Sequence, residues 1–183
     1  MTYRIGYIVG SLSKESINRK VAKALAELAG DELEFNEISI AELPLFSPEL
    51  EAELPEQIVN FKQQIESSDA IVVLTPEYNR SFPGVLKNAI DIASRPWGKN
   101  SFAGKPGAIM GASINNLGTA MAQNQLRGVL SFLGMDLLHL PEIYLTIGAA
   151  SFNGDGKITD LSMEERLIQW LADFTDHLHR HLG

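Results

Sequence analysis

The sequence predicts an α/β fold: a three-layer sandwich in which one five-stranded parallel sheet carries helices on both faces. The first reason is that short apolar, β-branched runs alternate with amphipathic helical patterns along the 183 residues. The second reason is that these runs are apolar at almost every position, which is typical of strands covered on both sides. Parallel strands joined by right-handed crossovers then give the predicted layers.

The first strand–helix unit shows the pattern clearly. Residues 3–9 read YRIGYIV and predict a buried strand. A helix is expected next, because apolar residues recur on one helical face, and Gly30 is placed to end it. The residues of that face are Ile17, Val21, Leu25 and Leu28.

Two further units follow in the same order. Residues 33–40 alternate less cleanly and predict a second strand nearer the edge of the sheet. After a loop with three prolines, a helix is expected over residues 56–67. Residues 70–74 read AIVVL and predict the third strand, followed by a helix from residue 84 to about residue 94.

The remaining units are less regular. Residues 107–112 predict the fourth strand, and a helix is expected over residues 119–133. A fifth strand is expected around residues 137–144, interrupted by Pro141, since proline cannot donate a hydrogen bond to a neighbouring strand. The sequence Asn-Gly-Asp-Gly at residues 153–156 predicts a turn or short hairpin.

The final helix is expected to open with Ser162 and Glu165, which form a capping-box pair, and to run to the C-terminus. The chain is long enough for one sizeable core, and no repeat or linker divides it. We therefore expect a single domain over residues 1–183.

Composition excludes several classes of function. With 45% hydrophobic and 21% charged residues, the chain has the balance of a globular protein. The net charge of -8 argues against nucleic acid and anionic membranes as partners. The absence of cysteine excludes disulfides, thiolate catalysis, iron–sulfur clusters and Cys-ligated zinc. No apolar run reaches transmembrane length and the N-terminus lacks a signal-peptide layout, so a cytoplasmic location is expected.

The first polar loop, residues 10–18, reads GSLSKESIN and follows the first predicted strand. Hydroxyl groups, free backbone N–H groups and a helix N-terminus are the features that bind phosphate. The loop matches neither Gly-x-Gly-x-x-Gly nor a Walker loop, and its three serines and one asparagine suit a single terminal phosphate. Ordinary helix capping by Ser13 or Ser16 is the alternative interpretation.

The second polar segment, residues 74–91, reads LTPEYNRSFPGVLKNAID and follows the third predicted strand. Its two prolines stiffen the turn. Glu77, Tyr78, Asn79 and Ser81 then offer a carboxylate, a phenol, an amide and a hydroxyl on a rigid segment. The alternative is a proline-rich turn whose polar groups cap a helix, with Glu77 solvated.

A third polar loop, residues 113–118, reads SINNLG and follows the fourth predicted strand. In the doubly wound order 2-1-3-4-5, strands one, three and four lie side by side, so the three loops converge on one crevice. A phosphate on the first loop and a planar ring against the other two describe a mononucleotide.

GSLSKESIN together with LTPEYNRSFPGVLKNAID resembles the NADPH-dependent FMN reductase family, including its quinone and chromate reductase members, over nearly the whole chain. The resemblance implies a flavodoxin-like fold, with the FMN phosphate on the first loop and the isoalloxazine against the other two. The residues expected to bind the cofactor are Ser11, Ser13, Ser16, Ile17, Asn18, Pro76, Glu77, Tyr78, Asn79, Ser81 and Ser113.

The chain departs from the family in two places. Many relatives have arginine where this chain has Ser13, so a cationic contact is lost unless Lys14 or Arg19 replaces it. Relatives also tend to have a glycine-rich run after the position of Ser113, whereas this chain has two asparagines at 115 and 116. The second departure bears on acceptor preference and on access to the ring.

The resemblance implies an oxidoreductase in which NADPH or NADH reduces FMN and quinones reoxidise it by ping-pong, with azo compounds or chromate as incidental acceptors. No catalytic side chain is required, because the cofactor carries the chemistry. A homodimer or homotetramer is implied, with Arg127 and Glu142 resembling subunit-contact positions. Two alternatives stay open: a flavodoxin-type electron carrier without its own substrate, and a flavin-free protein that binds another phosphorylated ligand.

Two other groups of residues have simpler explanations. His177 and His181 share a helical face with metal-ligand spacing, but histidines at a helix C-terminus ordinarily complement the helix dipole, so no metal is expected. Trp170 lies among apolar residues and is expected in the core. Trp97 follows a proline and is expected at a subunit interface or at the edge of the flavin pocket.

Overall fold

The computed structural model describes residues 2–183 and contains a parallel sheet. Its strands are β1 (Tyr3–Val9), β2 (Leu33–Glu37), β3 (Ala70–Leu74), β4 (Pro106–Ser113), β5 (Asp136–Leu137) and β6 (Tyr144–Thr146). The strand order is β2-β1-β3-β4-β5, which is the predicted order 2-1-3-4-5 with the second strand at an edge as expected. The additional strand β6 also pairs with β4.

Five helices and one short 3-10 helix (Pro48–Glu51) connect these strands. Their boundaries agree with the predicted ones to within three residues, and none of those in residues 2–183 is both long enough and apolar enough to cross a bilayer. The helices are α1 (Ile17–Leu28), α2 (Glu56–Ser67), α3 (Gly84–Ala93), α4 (Ala120–Phe132) and α5 (Leu161–Leu182).

Side-chain alternation along the strands produces two cores, one on each face of the sheet. In β3, Val72 and Leu74 point to the side covered by α1 and α5, whereas Ile71 and Val73 point to the side covered by α2, α3 and α4. All five residues of β3 are buried, as the prediction of a central strand requires. Trp170 is buried and stacks on Phe174 with 5.1 Å between ring centroids, which confirms it as a core residue.

The predicted fifth strand is two strands. β5 pairs with the beginning of β4 at Pro106 and Gly107, whereas β6 pairs with its end at residues 111–113. Residues 139–143 leave the ladder between them, and Pro141, which has no N–H to donate, lies in this interruption.

The predicted capping box of the last helix is wrong, because the N-cap residue lies two positions before Ser162. α5 begins at Leu161, and the Asp160 carboxylate caps it by accepting a hydrogen bond from the Met163 N–H at 3.1 Å. Ser162 therefore lies inside the first turn and is exposed. Gly30 likewise follows the end of α1 without capping it, because Ala29 is the C-cap residue and is extended.

Two lysines close helix C-termini from other elements. The buried Lys62 of α2 donates to the carbonyls of Ala93, at the end of α3, and of Lys99, each at 2.8 Å. Lys105 donates to the carbonyls of Glu66, at the end of α2, and of Ser68. Burial lowers the pKa of both lysines from its usual value. These contacts tie the C-terminal ends of α2 and α3 to neighbouring segments.

Candidate functional site

The loops that follow β1, β3 and β4 enclose a cavity of about 380 Å³ at the carboxyl edge of the sheet. This is the place where the strand order predicts a ligand, and the volume lies in the range of about 300–1,000 Å³ usual for ligand pockets. Residues of all three loops meet there. The predicted site residues that line it are Ser11, Ser13, Ser16, Ile17, Asn18, Pro76, Glu77, Tyr78 and Ser113.

The other two predicted residues, Asn79 and Ser81, do not line this cavity. Asn79 lines a neighbouring cavity of about 310 Å³ together with Arg80 and Leu117, and both cavities share Glu77 among their lining residues. The Ser81 hydroxyl donates to Gln125 Oε1 at 2.6 Å, so it is directed toward α4.

Three serine hydroxyls of the first loop are held in the same way. Each oxygen accepts a hydrogen bond from a nearby backbone N–H: Ser11 from Ser13, Ser13 from Glu15, and Ser16 from Arg19. Ser16 is thus the N-cap of α1, as the capping alternative predicted. Because a hydroxyl can accept and donate at once, the proton of each serine stays available to an anion in the cavity.

Asn18 contributes to the site through the scaffold. Its buried side chain accepts from the Ala112 N–H at 2.8 Å and donates to the Ala112 carbonyl at 3.0 Å. These two bonds tie the first turn of α1 to the last residues of β4. The carboxamide therefore sets the separation between the first loop and the third.

Glu77 has an equally structural role. Its side chain is only 4% exposed, and Oε2 accepts from the N–H groups of Met121 at 3.0 Å and Ala122 at 3.2 Å. These are first-turn donors of α4, whose own N-cap residue, Thr119, makes no side-chain cap. The Glu77 carboxylate thus caps a helix 44 residues away in sequence and is committed to that contact.

A tight hairpin that the sequence did not predict follows Glu77. Tyr78 and Ser81 exchange two backbone hydrogen bonds, and the residues between them, Asn79 and Arg80, have φ values of 52° and 66°. Positive φ at both central positions defines a type I′ turn, for which Asn-Gly is the usual sequence. Because this chain has arginine at the second position, the sequence did not predict the turn. The hairpin presents the half-exposed Tyr78 ring at the rim of the cavity.

The loop after β4 is pinned to β6. Gly118 has a φ of 52°, and a Cβ there would lie 2.8 Å from the Tyr144 carbonyl carbon, so glycine serves the packing of this loop against the sheet. Burial, a hydrogen bond to Glu142 and its charge raise the pKa of Tyr144 to about 12. Ile114 is exposed and lines the cavity, where its side chain is apolar in contrast to the polar first loop.

The remaining candidates lie elsewhere. His181 Nδ1 is 2.7 Å from Asp136 Oδ2 and His177 Nε2 is 3.0 Å from the Asp136 carbonyl, at the amino edge of the sheet and away from the cavity. No group of three potential metal ligands occurs within the part of the chain that the structure describes. Arg127 forms an ion pair with Glu142 at 3.4 Å within the same chain.

The cavity fits FMN at both ends. Its phosphate side offers hydroxyl protons and the N-terminus of α1, which are donors suited to a dianion. Its other side offers Pro76, Tyr78 and Ile114 as apolar surfaces for a planar ring. Backbone groups of the second and third loops remain to hydrogen-bond the ring edge.

Comparison with known proteins identifies the family. The family described as NADPH-dependent FMN reductase matches residues 3–151. The chain belongs to this family. It is 44% identical over 176 residues to a 2-hydroxy-1,4-benzoquinone reductase of a Burkholderia species, covering 96% of this chain and 94% of that protein.

Two further relatives agree with this membership. A quinone reductase of Pseudomonas putida is 46% identical over 159 residues, which are 86% of each chain. The structure of FerB, a flavoenzyme NAD(P)H:(acceptor) oxidoreductase from Paracoccus denitrificans, has a TM-score of 0.94 and 40% identity, covering 98% of this chain and 99% of that one. The predicted fold, family and oxidoreductase class are therefore confirmed, together with FMN and a nicotinamide as the family's cofactors.

Proposed function

We propose that this protein is an NAD(P)H:quinone oxidoreductase that holds FMN in the cavity formed by the loops after β1, β3 and β4. The observation that carries the proposal is the cavity itself, which has anion donors at one end, apolar surfaces at the other and nine predicted residues in its lining. When bound, FMN supplies the redox chemistry, taking a hydride from the nicotinamide and giving two electrons to the acceptor by ping-pong.

The chain's own residues would position the cofactor. Ser11, Ser13 and Ser16 would donate hydrogen bonds to the phosphate, while the backbone around Glu77 and Tyr78 would meet the ring edge. Because the Glu77 carboxylate caps α4, it is not available as a general acid or base. The acceptor proton is therefore expected to come from solvent.

The neighbouring cavity is the place we assign to the substrate ring. It adjoins the FMN cavity through Glu77 and Asn115, and Asn79 and Arg80 supply polar contacts there. Two relatives at 44–46% identity are named as reductases of quinones, which supports quinones as the acceptor class. Azo compounds and chromate would be incidental acceptors, and the cytoplasmic location stays a prediction.

Steady-state kinetics of the purified protein test the proposal. NADPH and NADH should each be supplied with a panel of quinones, and parallel lines in double-reciprocal plots are expected for ping-pong. A colourless protein that quenches no FMN fluorescence on titration would refute the assignment of the cavity. FMN binding without consumption of either nicotinamide would favour the flavodoxin-type carrier, and a strongly stabilised one-electron state in a redox titration would support it.

We also propose a homodimer formed by the exposed face of α3 and α4. A groove of about 520 Å³ lies between these helices, and beside it Trp97 and Phe132 are each 83% exposed. Met121, Gly128 and Phe132 lie along one face of α4, and the first of these is close to the substrate cavity. A second copy on this face would cover that apolar surface and close one side of the substrate cavity.

Light scattering of the protein in solution tests the dimer. Phe132→Asp places a charge on this apolar face and should convert dimer to monomer. Leu161→Asp serves as the control, because Leu161 is exposed at the start of α5, on the other side of the sheet. A wild-type monomer would refute this part of the proposal and leave the cofactor assignment intact.

A further inference from the structure

The guanidinium group of Arg19 lies behind the first polar loop and holds two of its carbonyl groups. Nη2 donates to the Ser11 carbonyl at 3.1 Å and Nη1 donates to the Ser13 carbonyl at 2.9 Å. A single planar fork thus bridges two peptide groups that are two residues apart. Arginine is suited to this task because its donors are fixed in one plane.

These contacts determine where the loop's N–H groups point. In a planar trans peptide, the N–H of the following residue points away from the carbonyl oxygen. Fixing the Ser11 and Ser13 carbonyls toward Arg19 therefore turns the N–H groups of Leu12 and Lys14 to the opposite side of the loop. Within residues 2–183, neither of these N–H groups has a backbone or side-chain acceptor.

Arg19 itself does not line the FMN cavity. It lines a neighbouring cavity of about 340 Å³, together with Lys20 and Lys23, and the two cavities share Glu15 and Ser16 among their lining residues. Its side chain is anchored by Glu37, which accepts from Nε at 2.9 Å. Glu37 in turn lies 3.5 Å from the Tyr7 hydroxyl, whose pKa is raised by burial and by the charge of Glu37.

We infer that Arg19 is a positioning residue for the cofactor phosphate: it holds the Ser11 and Ser13 carbonyls away from the cavity, so that neither carbonyl oxygen faces the anion. The cation acts through the backbone and touches no ligand. The inference rests on the proposed FMN site.

The proposed effect of Arg19 depends on the planar shape of its guanidinium group and not on its positive charge alone. Two further variants can therefore distinguish positioning of the loop from charge attraction. Lys23 lies one turn further along α1, is exposed and lines the same outer cavity as Arg19. Lys23→Ala removes one positive charge from the same helix without touching the loop carbonyls. Arg19→Lys keeps the charge but has a single ammonium that cannot hold both carbonyls in one plane.

The experiment measures equilibrium binding of FMN and of riboflavin to the apoprotein by flavin fluorescence quenching. Riboflavin has the same ring without the phosphate, so the ratio of the two affinities reports the phosphate contacts alone. Arg19→Ala is expected to weaken FMN binding by roughly tenfold to a hundredfold, the range for losing one or two charge-assisted hydrogen bonds, with riboflavin binding unchanged within about twofold. Arg19→Lys should fall nearer to Arg19→Ala than to wild type, and Lys23→Ala should match wild type.

Three results would overturn the inference. They are an unchanged FMN-to-riboflavin ratio in Arg19→Ala, full recovery in Arg19→Lys, and a loss in Lys23→Ala equal to that in Arg19→Ala. If Arg19→Ala does not fold by circular dichroism, Glu37→Gln replaces it, with a severalfold loss expected for FMN only. Absence of FMN binding in the wild type would instead refute the proposed function.

Discussion

The loop after β1 and the hairpin after β3 face the same cavity and are stabilised in opposite ways. In the first loop, Arg19 holds the backbone from outside, and the serine protons are left free for a ligand. In the hairpin, the side chains themselves serve the scaffold. Glu77 caps α4, and Gln125 of α4 bonds to Ser81 and to the Arg80 carbonyl.

The difference shows that polar residues in a motif need not be the groups that meet the ligand. The first loop is expected to bind through hydroxyl protons and N–H groups, and its charged residue works from behind. The hairpin is expected to bind through its backbone and through the face of Tyr78. Substitutions should therefore act on phosphate affinity in the first region and on stability in the second.

Ser11→Asp should produce the largest effect. A carboxylate near the phosphate repels it by about 4 kcal/mol at 4 Å and an effective dielectric constant of about 20, so FMN affinity should fall by roughly a hundredfold or more. Fluorescence titration measures it, with the exposed Ser162→Asp as the control. Wild-type FMN affinity in Ser11→Asp would contradict the assignment of the phosphate to this loop.

Glu77→Ala should mainly lower the stability of the fold. Loss of the cap leaves two first-turn N–H groups of α4 without their acceptor, at a cost of about 1–3 kcal/mol in the free energy of unfolding. Urea unfolding of the apoprotein measures it, with Glu53→Ala as an exposed control away from the cavity. FMN and riboflavin affinities should fall in parallel, and a selective loss of FMN binding would break the comparison between the two regions.

Arg80→Gly should stabilise the hairpin. Glycine adopts the positive φ of 66° without strain, a relief of about 1 kcal/mol. Arg80→Ala is the matched control, because it removes the 3.7 Å contact with Glu77 and keeps the strain. Glycine and alanine variants of equal stability would show that the turn is unstrained.

Two tyrosines near the site should lower stability at alkaline pH: Tyr7 on β1, the strand before the first loop, and Tyr144 on β6, beside the loop after β4. The pKa of Tyr144 is raised to about 12 by burial and by Glu142, from the usual 10.0. The folded state therefore keeps a proton that the unfolded state loses, so stability is complete below pH 10 and declines as pH rises toward 12. Tyr144→Phe should flatten that decline, and Tyr7→Phe should do so as well, since burial raises the Tyr7 pKa.

Urea unfolding at increasing pH measures this loss of stability, which is the smallest of the expected effects. Tyrosinate absorbance of the folded protein measures the pKa values of the tyrosines. The absorbance difference between wild type and Tyr144→Phe should titrate well above the value of free tyrosine. A difference that titrates at the ordinary tyrosine value would mean that the Tyr144 hydroxyl is open to solvent.

Local patterns predicted most of the fold because its strands are buried on both faces. The run from Ala70 to Leu74 needs no partner to be recognised, and the sheet order follows from the alternation of strands and helices. The divided fifth strand and the Asp160 cap depend on contacts with β4 and on one hydrogen bond at a helix end. Such contacts do not change the periodicity of apolar residues, so the pattern could not predict them.

The sequence also located the candidate cavity, since ligands gather where parallel strands end. It could not assign each side chain to ligand or scaffold, because that depends on partners far along the chain. Asn18 bonds to Ala112 across 94 residues, and Glu77 bonds to Met121 across 44. The sequence suggests Arg19 only as a replacement for a missing cation, whereas its guanidinium group donates to two carbonyls.

Several helix ends are capped by side chains from other segments, and this affects how the chain folds and how it responds to cleavage of the backbone. The carboxylate at the start of α4 and the ammonium groups at the ends of α2 and α3 all arrive from neighbouring segments. Each of these helices depends on another segment for part of its capping, so none reaches full stability until the sandwich has assembled. Folding of this layer is therefore cooperative, and fragments divided between α2 and α4 should complement one another instead of folding separately.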